Sequence, residues 1–195
     1  MSVLILKSDV NLKRFTKQIL KNEQKIIKIH SPTDYYNILT DGGTGLGYNS
    51  LTSRFFHFNV LRWLNTNQLR KEIRKGYESY TDLKNTPLFV RCWANVMRKG
   101  DRIKPHRHLE YDINPIHALS GHLCVKVDGS TNTFYEGESI CNVNGEMTFF
   151  PSTMTHWTNT YTGDSERITV AFDIYSKDRF NFNIFEDAKK HFVKI

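Results

Sequence analysis

The chain has 195 residues, of which 39% are hydrophobic, 24% charged and 13% aromatic, with a net charge of +7. This composition excludes a disordered chain, and no apolar run approaches the roughly 18 residues that a membrane-spanning helix needs. Three widely spaced cysteines, Cys92, Cys124 and Cys141, with no C-x-x-C pair, argue against a disulfide scaffold or a thiolate zinc site and fit a reducing compartment. The opening Met1–Lys7 has no basic leader, so the expectation is a cytoplasmic protein with no membrane association. The charge is uneven. Residues 1–104 carry 19 basic and 8 acidic side chains, and residues 105–195 carry 8 and 12. A basic amino-terminal half can steer an acidic partner or nucleic acid, although lysines solvating helix faces are the plainer reading.

In chain order, the first predicted element is a helix from Asp9 to about Asn22. Leu12, Phe15 and Ile19 recur on one face, Asp9 stands as N-cap, and Lys13, Lys17 and Lys21 form a basic stripe. Lys25–His30 reads as a short strand, and residues 31–53 as a long loop containing Asp41-Gly42-Gly43-Thr44-Gly45-Leu46-Gly47. Those glycines lack the Gly-Lys-Ser/Thr of a phosphate loop, so a loop covering a site is the better use for them. A second helix fits Asn67–Tyr80, with Leu69, Ile73, Tyr77 and Tyr80 on one face and Asp82–Pro87 ending it.

From Leu88 the texture changes to short segments rich in β-branched and aromatic residues, separated by turn residues. Strands are expected at Leu88–Met97, Ala118–Val127, Glu146–Phe150, Thr155–Thr160 and Glu166–Tyr175. Short strands at this spacing indicate a β-sandwich or barrel. The tail from Phe180 to Ile195 is aromatic and then basic, and is expected to pack on the core as a strand or short helix.

The stretch Gly100 to Glu110 contains His106-Arg107-His108. In an extended strand, residues i and i+2 share a face, so two imidazoles would project together toward one metal. A third histidine, His156, follows the apolar strand and proline turn Met147–Pro151. In Glu166–Asp173, Ile168, Val170 and Phe172 share one face while Arg167 and Thr169 share the other. A charged Arg in so apolar a strand needs a partner, and its fork beside a hydroxyl suits a carboxylate. His122, on the face of Ser120 and Cys124, reads as a hydrogen-bonded interior residue rather than a ligand. His117 and His122 flank the Leu119-Ser120-Gly121 strand, His30, His57 and His191 have no partner pattern, and Cys92 and Cys124 read as small hydrophobes.

These residues carry a resemblance. Trp93-Ala94-Asn95, Gly100, His106-Arg107-His108, Leu119-Ser120-Gly121, Phe150-Pro151-Ser152, His156 and Glu166-Arg167-Ile168-Thr169 resemble the 2-oxoglutarate- and Fe(II)-dependent oxygenases. The likeness is greatest to a short group found in phage and bacterial genomes. It spans Cys92 to Tyr175, and the eleven-residue step from His156 to Arg167 matches the superfamily's distal histidine and cosubstrate arginine. The same segments are similar to the cupin motifs, which share the double-stranded β-helix but not the function. The resemblance implies an α+β fold with a double-stranded β-helix (jelly-roll, cupin-like) core and N-terminal helices. Residues 1–195 would form a single domain, with a helical and loop part at 1–87, the metal-binding core at 88–176 and an extension at 177–195.

It further implies Fe(II) and 2-oxoglutarate as cofactors, with Arg167 and Thr169 holding the cosubstrate's far carboxylate. The usual ligand set is two imidazoles and one carboxylate, and here it departs. Either His106, His108 and His156 bind the metal, or His108-Leu109-Glu110 is the His-x-Glu element with His156 distal. In the first case Glu110 or Asp112 sits behind the ligands or faces substrate. The implied function is hydroxylation of an unidentified substrate, with decarboxylation of 2-oxoglutarate to succinate. The alternatives are a cupin-type isomerase or other dioxygenase that does not use 2-oxoglutarate, and a non-catalytic binding protein with a vestigial site.

Overall fold

The structure is a computed structural model and describes residues 2–31, 44–108, 118–177 and 190–195. Helix α1 spans Leu12–Ile29, capped by Asn11, whose side chain accepts a hydrogen bond from the Arg14 amide. The cap is Asn11 rather than Asp9, and the helix runs on to Ile29 with His30 as its C-cap, over the Lys25–His30 segment expected to be a strand. The reason lies in its buried face, which continues from Phe15 and Ile19 to Glu23. Glu23 is held by a two-pronged pair with Arg98 at 2.8 and 2.9 Å, and Ile26 packs on the same core. With no Gly or Pro in the way, that face carries the helix two turns further. Lys13, Lys17 and Lys21 are exposed, so the basic stripe is a solvated helix face.

Helix α2 spans Asn67–Thr81 and stops at Asp82, which adopts the left-handed conformation. It buries Leu69, Ile73, Gly76 and Tyr77. A Cβ on Gly76 would lie 1.9 Å from the ring of Phe149, which is fully buried and has nowhere to move. Gly76→Ala is therefore expected to lose about 1–2 kcal/mol. Overpacking costs about 1–3 kcal/mol, and alanine recovers up to about 1 kcal/mol over glycine in a helix. Chemical denaturation of the variant checks this.

The strands are β1 (Leu4–Lys7), β2 (Leu88–Met97), β3 (Ala118–Lys126), β4 (Asn132–Tyr135), β5 (Glu138–Cys141), β6 (Glu146–Pro151), β7 (His156–Thr158), β8 (Arg167–Ser176) and β9 (Val193–Lys194). They form a six-stranded sheet in the order β1-β6-β3-β8-β2-β9 and a three-stranded sheet in the order β5-β4-β7. Among the described residues all pairings are antiparallel. Strand β1 from the amino-terminal segment and β9 from the tail both join the large sheet. Strands β4 and β5 were not expected; they form a hairpin closed by Glu136 and Gly137, with Gly137 at φ 95°.

Strands β2 and β8 are buried on both faces and pair over their whole length. One face of the large sheet carries Cys92, Ala94, Leu123, Val170 and Phe172, and packs under Phe15, Ile19, Leu69, Ile73 and Tyr77 of the helices. The other face turns toward the small sheet, shown by the Tyr135 hydroxyl 3.3 Å from Thr148 Oγ1 and the Tyr135 ring 5.0 Å from Phe150. Alternation places Arg91 and Trp93 of β2, Ser120 and His122 of β3, and Arg167, Thr169 and Asp173 of β8 on this inner face. The space between the sheets is thus polar while the helix side is oily. Among the described residues no helix is long and apolar enough to cross a membrane.

Candidate metal centre and the buried arginine beside it

His106 forms a two-way backbone bridge with His156, the amide of each donating to the other's carbonyl at 3.1 and 2.9 Å. Directly opposed residues project to the same side, so the two rings lie 4.3 Å apart. His108 follows on the same face, fixed by its amide donating to the Ser152 carbonyl at 2.9 Å. The three histidines each bring one ring nitrogen to within 4.8 Å of the others, and the Nε2 atoms of His106 and His108 are 3.3 Å apart. Two nitrogens at 2.0–2.1 Å from one ion, at 90–109°, would be separated by about 2.8–3.4 Å. The spacing therefore suits an ion between them.

The far side of each ring explains the orientation. His106 Nδ1 donates to the Lys104 carbonyl at 2.8 Å and His156 Nδ1 to the Met154 carbonyl at 3.2 Å. His108 Nδ1 contacts the Asp173 carboxylate. Each acceptor keeps the proton on Nδ1 and leaves the Nε2 lone pair for the shared point. Burial, then the charge of His108, lowers the His106 pKa to about 4. Burial, then His106 and His108, lowers His156 well below the ordinary value. At neutral pH both are neutral imidazoles, the form that binds metal. Glu110, Asp112 and His117 lie outside the described residues.

Arg167 is 1% exposed. Its NH1 contacts the Met97 sulfur at 3.0 Å, its Nε has no hydrogen-bond partner, and no carboxylate pairs with it among the described residues. Burial lowers its pKa. A desolvated guanidinium without a counter-charge is costly, so the pocket fits an anion. Thr169, also buried, sits two residues along β8 on the same face. His122 is hydrogen-bonded as expected, 3.0 Å from Thr148 Oγ1 and 3.4 Å from Asn142 Oδ1. Burial, then the Arg167 charge, takes its pKa to about 4.

These lowered histidines have a consequence for stability. A group whose folded pKa lies below its unfolded value binds protons more readily when unfolded. Its stabilisation is full above about pH 6.5 and is lost as pH falls toward 4. The metal-free protein is expected to lose about 2 kcal/mol for each of His106 and His122 between about pH 7 and about pH 5. Thermal unfolding at the two pH values checks this.

The described part of the glycine-rich loop lies against the histidine segment. Lys104 donates its amide to the Thr44 carbonyl at 2.8 Å. A Cβ on Gly45, whose φ is 89°, would come 2.8 Å from the Arg102 carbonyl. Residues 41–43 are outside the described residues. Cys92 and Cys124 are buried and Cys141 is exposed, all free.

Sequence reasoning did not single out Asp173, Arg91 or Ser120. Asp173 is fully buried, 2.6 Å from an Arg91 nitrogen and 2.8 Å from Ser120 Oγ. The signal was present in part, because a carboxylate in the apolar run Ile168–Ile174 needs a partner as much as Arg167 does.

No family model and no curated protein matches the chain. Solved structures do. The viral collagen prolyl hydroxylase of Paramecium bursaria Chlorella virus 1, in complex with 2OG, superposes with a TM-score of 0.58 at 12% identity, over 89% of this chain and 96% of that one. The nickel complex of the non-heme monooxygenase ThoJ gives 0.54 at 13% identity, over 89% and 73%. The non-heme alpha-ketoglutarate-dependent epimerase SnoN of nogalamycin biosynthesis gives 0.54 at 9% identity, over 89% and 76%. The chain shares the fold of these structures.

Proposed function

We propose that this protein is an Fe(II)- and 2-oxoglutarate-dependent oxygenase that hydroxylates a substrate, and that its two sheets close as a double-stranded β-helix. The observation that carries the reading is that three imidazoles aimed at one point, and a buried arginine with no carboxylate partner among the described residues, belong to the polar side of the large sheet. The donor set fits iron, since imidazole nitrogen suits that metal. His106, His108 and His156 would hold it. Arg167 and Thr169 would take the far carboxylate of 2-oxoglutarate, the guanidinium supplying charge and fork and the hydroxyl a further hydrogen bond.

When bound, iron and 2-oxoglutarate supply the oxidative chemistry, hydroxylation of a C–H bond coupled to decarboxylation of the cosubstrate to succinate. The chain's own residues hold these groups in register and keep water out. Burial of Arg167 strengthens its attraction for a carboxylate, because little solvent screens it. The Nδ1 acceptors behind the three rings hold each imidazole at a fixed angle, so the ligands need no reordering when metal arrives.

Aerobic incubation with iron(II) and 2-oxoglutarate, with succinate measured against a metal-free control, tests this. Metal-dependent succinate supports the reading. Firm metal binding with no 2-oxoglutarate binding would favour the cupin-type alternative, and binding of neither would favour a vestigial site.

A further inference from the structure

We propose that Asp173 is a positioning residue that places a negative charge behind His108, and that Arg91 and Ser120 hold it there. This rests on the metal-centre reading above, and His108 belongs to both of the ligand sets considered for it. Asp173 is 0% exposed. Arg91 is its cross-strand neighbour on β2 and Ser120 its neighbour on β3. Arg91 NH2 donates to Oδ2 at 2.6 Å, the Ser120 hydroxyl donates to Oδ1 at 2.8 Å, and Oδ1 also receives His108 Nδ1–H. Three residues in one row across the sheet thus present a carboxylate to the back of one imidazole.

The arrangement is not that of a plain structural ion pair. Arg91 reaches Asp173 through one nitrogen, and its Nε has no hydrogen-bond partner. Engaging the whole fork would be the stronger pairing geometry. Here one oxygen is kept for His108 and Ser120. The Arg91 cation is steadied instead by the rings of Phe55 at 4.6 Å, Phe56 at 5.0 Å and Trp93 at 5.5 Å. Ser120 is itself braced, 2.8 Å from Ser152 Oγ, and Ser152 is the residue whose carbonyl holds the His108 amide.

The three histidines are not equivalent. His106 and His156 lean on neutral backbone carbonyls, whereas His108 leans on a charge. A carboxylate at Nδ1 raises the basicity of Nε2 and fixes the ring. Asp173, whose Oδ2 is paired with Arg91, turns Oδ1 to the back of one ring and stays out of the ligand set, because the imidazole stands between it and the shared point.

The test uses cobalt(II) and zinc(II) with the full chain. Asp173→Asn, which keeps the shape and removes the charge, is expected to weaken cobalt(II) affinity by about 10–100-fold and to shift its visible absorption bands. Far-UV circular dichroism should be unchanged. In zinc-loaded wild type labelled with 15N-histidine, His108 is expected to coordinate through Nε2 and to show a downfield Nδ1 proton that exchanges slowly with water. Equal cobalt(II) affinity and an equal spectrum in the variant would overturn the proposal and leave the metal centre standing. Should Asp173→Asn fail to fold, the wild-type resonance decides: a rapidly exchanging Nδ1 proton, or coordination through Nδ1, overturns it. Absence of stoichiometric metal binding by wild type would overturn both this and the metal-centre reading.

Discussion

His156→Ala is expected to weaken metal binding by more than about 100-fold, abolish metal-dependent succinate formation and leave the fold standing. Losing a hydrogen-bond partner behind a ligand already costs about 10–100-fold in affinity, and losing the ligand itself costs more. The fold should survive because His156 is held in β7 by its backbone, whose amide and carbonyl bond to His106 and remain in the variant. The lost imidazole packs on Phe150 at 4.6 Å and on His106 at 4.3 Å, so a modest drop in melting temperature is expected. Metal titration together with thermal unfolding of the metal-free variant checks both halves. Unfolding of the wild-type apoprotein at room temperature would mean that the metal is structural.

Arg167→Lys is expected to weaken 2-oxoglutarate binding at least about tenfold with metal affinity almost unchanged. Truncating one partner of a buried charge pair costs about 2–5 kcal/mol. Lysine keeps the charge but not the fork, so part of that cost remains, and about 1.4 kcal/mol is already tenfold. Metal affinity is spared because a protonated guanidinium offers no lone pair to a metal, and the convergent nitrogens are those of His106, His108 and His156. Its guanidinium meets the Met97 sulfur rather than a carboxylate, so the substitution breaks no ion pair among the described residues. Equal 2-oxoglutarate affinity in wild type and variant would remove Arg167 from the cosubstrate pocket.

Much of this was legible from local pattern. Strand β2 begins and ends where its run of apolar and β-branched residues does. Arg167 and Thr169 fall on one face of β8 because alternation along a strand is a property of the strand alone. His106 and His108 do converge, although neither lies in a named strand: His106 makes an isolated bridge with His156 and His108 follows in a bend. His122 could be read as an interior hydrogen-bonding residue from its neighbours. What escaped depends on distant partners. The end of α1 was misplaced because the Glu23–Arg98 pair joins residues 75 apart. Strand β1 becomes a strand only by pairing with β6, and its four residues carry no strong signal alone. The Asp173 cluster was invisible for the same reason. Arg91, Ser120 and Asp173 share a row only once β2, β8 and β3 are in register, and register between strands so far apart in sequence is not written in either of them.

On the proposed reading, the three-histidine centre and Arg167 together form a site for 2-oxoglutarate. Calorimetric titration of 2-oxoglutarate into the anaerobic protein, with and without iron(II), tests it most directly. Saturable binding at one site per chain is expected in the iron-loaded protein, and much weaker binding without metal, where Arg167 and Thr169 act alone. Absence of 2-oxoglutarate binding to the iron-loaded protein, or binding of equal strength with and without iron, would contradict it.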